Sequence, residues 1–460
     1  MKILLICPPT ETKCSSPQEY PLGLLYLDAV LNKAGYEVMV KNYYSNDYKS
    51  AREDILDTIL EFKPRVIGFN CMTMNRTACF QLTKEIKELY PNPKEIDIIM
   101  GGVHASSMYE QIIKNIPVDI IVTGEGEQNI VAVMEAIEMK RYLADIPGIA
   151  FKFDEEVAYT GPAKQIEDLD SIPFPRHEIF AEQIKKTKCA RMMTSRGCPF
   201  GCTYCSTSAY WGRRWRPRSA ANVVAEIEDI LNKMPFVEEI FFYDDTFTVD
   251  NQRVIDICNL LIDKGIKLRL KCSGRVDRVS KEMLIKMKEA GFVNIAYGIE
   301  SGSEKMLKSM NKGITKEQIK YAIDLTNEVG LFWSGYMLVG CPGETWATIN
   351  ESIEFMKTLK GFDIDAVSPL EIYPNTEVYR LAKEKGFDEN FWLTDKLVPH
   401  YTYEHSEDEL RKMAFTIVYK NKINQGMWKF ISFSFKYLFK RPVRTITFAV
   451  DLLKRNIFKG

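Results

Sequence analysis

Apolar positions in the first 145 residues fall in short runs separated by longer amphipathic stretches, the rhythm of strands alternating with helices. Lys2–Cys7, Glu37–Lys41, Val66–Asn70, Ile96–Met100 and Ile120–Val122 predict strands. Gly23–Ala34, ending at Gly35, and Thr77–Leu89 predict helices between them. That order predicts an α/β unit over 1–145, a Rossmann-like doubly wound parallel sheet. Glycine-rich turns follow its fourth and fifth strands: Gly101-Gly102-Val103-His104 and Gly124-Glu125-Gly126-Glu127. The carboxyl ends of such strands line a ligand crevice, and glycine lets backbone approach a ligand closely.

Residues 146–185 carry Pro147, Pro162, Pro173 and Pro175 without periodicity, which reads as an extended linker. Alternation resumes over 186–385, with strands predicted at Ala190–Thr194, Glu239–Tyr243, Lys267–Cys272, Asn294–Tyr297, Trp333–Leu338 and Asp365–Leu370. Six strand–helix units predict a (β/α)6 partial TIM-type barrel, whose chemistry sits just past the strand ends. Residues 386–460 read as helical, turning basic and aromatic from 426 onward.

Composition narrows the class. A chain of 460 residues has room for two or three domains, and 46% hydrophobic with 27% charged residues is ordinary for a folded protein. A net charge of −1 argues against general nucleic-acid affinity. The apolar opening is too short for a signal peptide, and no uninterrupted apolar run reaches the roughly 18 residues of a membrane span. With eleven cysteines and no export signal, the expected compartment is the cytoplasm.

Cys198-Pro-Phe-Gly-Cys202-Thr-Tyr-Cys205 is the most informative stretch. Structural zinc wants a fourth ligand, and the next Cys or His is Cys258. Three is odd, so disulfide pairing leaves one thiol over. A [4Fe–4S] cluster is usually held by four thiolates. Three closely spaced ones leave one iron open to another ligand.

This spacing, with aromatic Tyr204 before the last cysteine, resembles the signature of the radical S-adenosylmethionine (SAM) superfamily. The resemblance implies a [4Fe–4S] cluster on Cys198, Cys202 and Cys205. Its open iron chelates SAM, and reductive cleavage yields a 5′-deoxyadenosyl radical. The half before it resembles the cobalamin-binding domains that precede many such cores, through Pro21-Leu22-Gly23-Leu24-Leu25-Tyr26-Leu27 and the two glycine turns. Gly101, Gly102, His104, Gly124 and Glu125 are its candidate cofactor contacts. The D-x-H-x-x-G motif that ligates cobalt elsewhere is missing; Pro8-Pro9-Thr10-Glu11-Thr12 follows the first strand. Cobalamin is therefore expected without a protein histidine on cobalt.

In the barrel, the resemblance places Asp244 or Asp245 near the SAM amino group or the substrate, with helix capping the structural alternative for Asp244. Arg275 is expected on the SAM carboxylate or in a surface salt bridge. Glu300, in Gly298-Ile299-Glu300-Ser301-Gly302, is expected to accept from ribose hydroxyls, and Gly340, in Gly340-Cys341-Pro342-Gly343-Glu344-Thr345, lies beneath adenine. Met310-Asn311-Lys312-Gly313 also fits the family pattern and reads as a helix terminus. Asn375 keeps access to a left-handed turn. His177 reads as a capping or hydrogen-bonding residue. The basic, aromatic stretch Ser206–Ser219 could bind an anion or pack on the N-terminal half.

Residues 426–460 set eight Lys/Arg against one acid, Asp451, with aromatics interleaved. They read either as a basic amphipathic segment on a membrane surface, favouring a lipid-like substrate, or as a helix packed on the barrel. The expected partners are a small-molecule or lipid-like substrate and an electron donor such as flavodoxin or ferredoxin, with no nucleic acid. The expected activity is methylation of an unactivated carbon through the 5′-deoxyadenosyl radical and methylcobalamin. Alternatives are a radical SAM cyclase or oxidoreductase without methyl transfer and, from another class, a non-catalytic Fe–S or corrinoid redox sensor. A methylthiotransferase fits less well, because the N-terminal half shows no evident second three-cysteine set.

Overall fold

The computed structural model describes residues 1–10, 20–92, 95–361 and 364–425. One sheet has seven strands: β1 Lys2–Cys7, β2 Glu37–Asn42, β3 Val66–Asn70, β4 Asp97–Gly101, β5 Ile120–Val122, β6 Ile149–Phe153 and β7 Glu156–Tyr159, in the order β2-β1-β3-β4-β5-β6-β7. The first five pair in parallel. Alternation along β1 shows why helices cover both faces. Ile3 and Leu5 pack with Leu24, Leu31, Ile130 and Met134 of the helices Leu22–Lys33 and Gly126–Met139. Leu4 and Ile6 join the opposite core, with Ile55, Ile59, Cys79 and Ile86. The strand order reverses between β1 and β3, which opens a crevice at the carboxyl ends.

The stretch expected as a linker is only partly one. β6 and β7 add antiparallel to the sheet edge, burying Ile149, Ala150 and Phe151. Their turn, Asp154-Glu155, has no glycine, although both residues take left-handed φ of 46° and 66°. That is why turn chemistry gave no hairpin signal.

The second sheet has six parallel strands: β8 Cys189–Met192, β11 Glu239–Phe242, β12 Arg269–Gly274, β13 Phe292–Glu300, β14 Phe332–Val339 and β15 Ile364–Pro369. A short antiparallel ribbon, β9 Ser195–Arg196 with β10 Arg216–Pro217, sits between the first two. The order is β15-β14-β13-β12-β11-β8 and the end strands do not pair, so this is an open half-barrel. Its helices start where Ser219, Asp250, Ser280, Thr315 and Thr345 accept backbone N–H bonds as caps.

The two sheets share a core. Met306, Met310, Cys341, Leu370 and Trp392 continue the apolar layer beneath Leu4 and Ile6. The helix Glu407–Asn424 seals the half-barrel with Leu410, Met413 and Ile417. The basic, aromatic stretch 426–460 lies outside the described residues. No helix among the described residues is long and apolar enough to cross a membrane.

Candidate functional site

The cysteine loop leaves β9 through Gly197, whose φ is +81° and where a Cβ would stand 2.1 Å from the Arg214 carbonyl oxygen. Only glycine fits that turn. Cys198, Cys202 and Cys205 are free and half-buried at the half-barrel mouth, and Cys205 N–H donates to Cys202 O at 3.3 Å to close their turn. Among the described residues no three His, Cys, Asp or Glu side chains form a ready-made metal cage. The donor set is three unoxidised thiols on one loop. That set suits a cubane cluster with one open iron and does not suit four-coordinate zinc.

The acids after β11 bracket this loop. Asp244 is buried and accepts from Thr194 N at 3.1 Å, Thr194 Oγ1 at 2.9 Å and the Ser195 hydroxyl. It therefore pins the approach to the loop instead of capping a helix. Burial raises its carboxyl, opposed by Arg253 and these donors. Asp245 accepts from Thr207 Oγ1 at 2.8 Å, just past the last cysteine. Arg275, expected on a SAM carboxylate or in a surface salt bridge, is buried and ion-paired. It pairs with Asp277 at 2.9 Å and lies 3.6 Å from the Phe200 ring centroid, inside the cysteine loop.

Glu300 ends β13 with φ +63° and is bound by Lys312 Nζ at 2.8 Å, while the same ammonium lies 3.3 Å from Tyr204 OH. Burial, the Glu300 carboxylate and the neighbouring thiols push the Tyr204 phenol well above its usual range, so it stays a neutral donor. Gly340, with φ +84°, lies against Leu410, and its N–H donates to the Glu344 carboxylate. Asn375 is left-handed as expected, with φ 63°.

Opposite the loop, the crevice of the first sheet holds a cavity of about 300 Å³. Its floor is apolar, from Ile3, Leu5, Val66, Ile99, Val122 and Met134. Its mouth carries Asn70, Gly101, Gly102 and Gly124 from the first sheet, and Met193, Arg196, Tyr210 and Trp211 from the cysteine-loop side. A Cβ on Gly102 would stand 2.8 Å from both Asn70 Oδ1 and Cys71 O, so the close approach there needs glycine. Among the described residues no histidine lines the cavity. His104 is a correction: it turns away, fully buried between Phe80 and Trp392, with neither ring nitrogen bonded. Burial depresses its pKa to about 3, so it is neutral.

Glu125 reaches the site by a route the sequence did not show. Its carboxylate meets Arg196 Nη1 at 2.6 Å and Arg216 Nη1 at 2.6 Å, and accepts from Ile166 N at 2.8 Å. Arg196 also binds Glu127 at 2.5 Å, and Tyr210 OH donates to Gly124 O at 2.7 Å. Three of the four arginines of Ser206–Ser219 are likewise spent internally, Arg214 on Glu167, Arg216 on Glu125 and Arg218 on Glu226, while exposed Arg213 lies against Gly201 of the cysteine loop. Through Arg216 and Tyr210 the stretch packs on the N-terminal half, and among the described residues it presents no cluster of free guanidinium groups. His177 is a buried bridge between Glu226, at 2.9 Å, and Tyr20, at 3.3 Å. The structure does bring Cys7, Cys71 and Cys79 together, but all three are sealed in the sheet core, and burial keeps the Cys79 thiol protonated.

Comparisons with known proteins agree with this geometry. The family described as "Radical SAM superfamily" matches residues 192–356, and "B12 binding domain" matches 12–134. An uncharacterised methyltransferase of Pyrococcus horikoshii is 30% identical over 96% of this chain and 97% of its own length. The anaerobic magnesium-protoporphyrin IX monomethyl ester cyclase of Cereibacter sphaeroides is 30% identical over 72% of this chain, which spans only 55% of that enzyme. Among solved structures, the radical SAM methyltransferase TsrM of Kitasatospora setae superposes with a TM-score of 0.69 at 20% identity, covering 82% of this chain and 74% of that one. The chain belongs to the radical SAM superfamily and carries a B12-binding domain, and its cofactors are a [4Fe–4S] cluster, SAM and cobalamin.

Proposed function

We propose that this enzyme transfers a methyl group to an unactivated carbon of a small-molecule substrate. The observation that carries the reading is the shared cavity. The glycine turns of the B12-binding domain and the flanks of the cysteine loop, Met193, Arg196, Tyr210 and Trp211, line one space. A corrinoid held in that space would lie between the glycine turns and the flanks of the cysteine loop. When bound, the cluster supplies the electron that cleaves SAM and cobalamin carries the methyl group.

The protein's own residues supply position and dryness. Cys198, Cys202 and Cys205 hold the cluster, and Asp244 and Asp245 fix the loop on either side. Glu300, at the end of β13, is poised for the SAM ribose, with Gly340 just past the end of the neighbouring strand β14. Gly102 and Gly124 would let backbone lie against a corrinoid, and the apolar floor would take its less polar parts. The full-length relation to the Pyrococcus horikoshii methyltransferase supports methyl transfer over ring closure. The Cereibacter sphaeroides relative keeps cyclisation as the second reading. A flavodoxin- or ferredoxin-type donor would deliver the electron, and the basic, aromatic composition of residues 426–460 supports contact with a membrane surface, which would suit a lipid-like small molecule.

The test is anaerobic, iron-reconstituted protein with SAM, a strong reductant and hydroxocobalamin, compared with Cys202→Ala. Both 5′-deoxyadenosine and S-adenosylhomocysteine should form and both should vanish in the variant. Deoxyadenosine without S-adenosylhomocysteine, across candidate substrates, would favour the cyclase reading.

A further inference from the structure

The turn Met310–Lys312 grips the cysteine loop at three points directly and at a fourth through Arg275. Met310 O accepts from Thr203 N at 3.0 Å, and Asn311 Nδ2 donates to Gly201 O at 2.7 Å. Lys312 O accepts from Arg275 Nη2 at 2.8 Å, and that guanidinium stacks on Phe200. Lys312 Nζ reaches Tyr204 OH. The turn is shaped for this by left-handed φ values at Asn311, 49°, and Gly313, 67°.

Lys312 itself is only 7% exposed, and lysine is rarely buried without a partner. Its ammonium sits between the Glu300 carboxylate and the phenol that separates two of the cysteines. Space is reserved for the pair: a Cβ on Gly298 would stand 2.6 Å from Glu300 Oε1 and 2.7 Å from Lys312 Nζ. Without the ammonium, Glu300 would be an unpaired negative charge beside the thiolates, and a more negative surrounding opposes electron entry into a cluster.

We propose that Lys312 is a positioning residue of the cluster and SAM site, holding Glu300 and Tyr204 in place and offsetting the Glu300 charge. The inference rests on the radical SAM reading above. It assigns Lys312 no direct contact with a cofactor.

Three reconstituted full-length proteins test it: wild type, Lys312→Met and Lys312→Arg. The readouts are iron content, SAM affinity by equilibrium dialysis, and cluster midpoint potential without SAM, followed by electron paramagnetic resonance. Lys312→Met should retain iron, bind SAM about tenfold more weakly, the size of one lost charge-assisted hydrogen bond, and show a more negative potential. Lys312→Arg should return both values toward wild type. Wild-type affinity and potential in Lys312→Met would overturn the proposal. Should Lys312→Met lose its cluster, Lys312→Arg decides: recovery of iron, affinity and potential supports the role, and a defect equal to that of Lys312→Met overturns it. A wild-type protein that holds iron but no SAM would sink the functional reading instead, and the potential shift alone would then decide this one.

Discussion

Glu125 and Arg196 meet at 2.6 Å across the seam between the two sheets, one residue past the Gly124 turn and two residues before the first cluster cysteine. Both are nearly fully buried, at 5% and 6% exposure. The pair ties the wall of the cavity to the root of the cysteine loop. Removing one partner of a buried ion pair costs more than the pair gains, because the other charge stays buried and unpaired.

Arg196→Met should therefore destabilise the protein by about 3 kcal/mol, leaving Glu127 without its arginine and Glu125 with Arg216 alone. Cobalamin affinity should fall while iron content per chain holds. Thermal unfolding and cobalamin titration of the reconstituted protein read the two effects separately.

Gly102→Ala should cost about 1–3 kcal/mol and abolish stable cobalamin retention. Its φ of +100° is foreign to a residue with a side chain, and the added methyl would meet Asn70 and the Cys71 carbonyl. Gel filtration with hydroxocobalamin shows whether the corrinoid travels with the protein.

The two cysteine groups should separate cleanly. Cys198→Ala, Cys202→Ala and Cys205→Ala should each lose the cluster absorbance. Cys79→Ala should keep it and lose only about 1 kcal/mol of packing, since Cys79 is sealed in the core of the first sheet. Iron analysis after reconstitution gives the answer.

Glu344 makes the stability pH-dependent. It is 2% exposed, and burial pushes its carboxyl up to about 7 against the backbone donors of Gly340 and Cys341. A folded value above the unfolded one means the native state binds the proton more tightly. This contribution is fully present below the unfolded value near 4.5 and is lost as pH rises through about 7. Glu344→Gln should remove that slope. Relative to wild type, the variant should gain thermal stability between pH 5.5 and pH 8, as differential scanning at the two pH values would show.

The strands were legible because buried parallel strands are continuous apolar runs. Val66–Asn70 and Ile120–Val122 fall at the expected residues. The β6–β7 hairpin was not legible, since neither of its turn residues is a glycine or asparagine. Three thiols declared a chemistry by spacing alone. The partners of the charged site residues were hidden for the opposite reason: Glu125 and Arg196 lie 71 positions apart, and no local pattern encodes that pairing. His104 misled because it adjoins a true glycine turn but stands on the helical turn Val103–Ser107, which points it into the core. Lys312 looked like a helix end, and it is one; its side chain acts on a loop more than a hundred residues earlier.

The central claim is that one cavity places a corrinoid against the cluster loop for methyl transfer. The most direct measurement supplies reconstituted protein with hydroxocobalamin, reductant and SAM carrying a deuterated methyl group, then determines by mass spectrometry where the label goes. The account predicts one cobalamin retained per chain, label on that cobalamin, and loss of retention in Gly102→Ala. Deoxyadenosine formed by a protein that retains no cobalamin, with the label remaining in methionine, would contradict it.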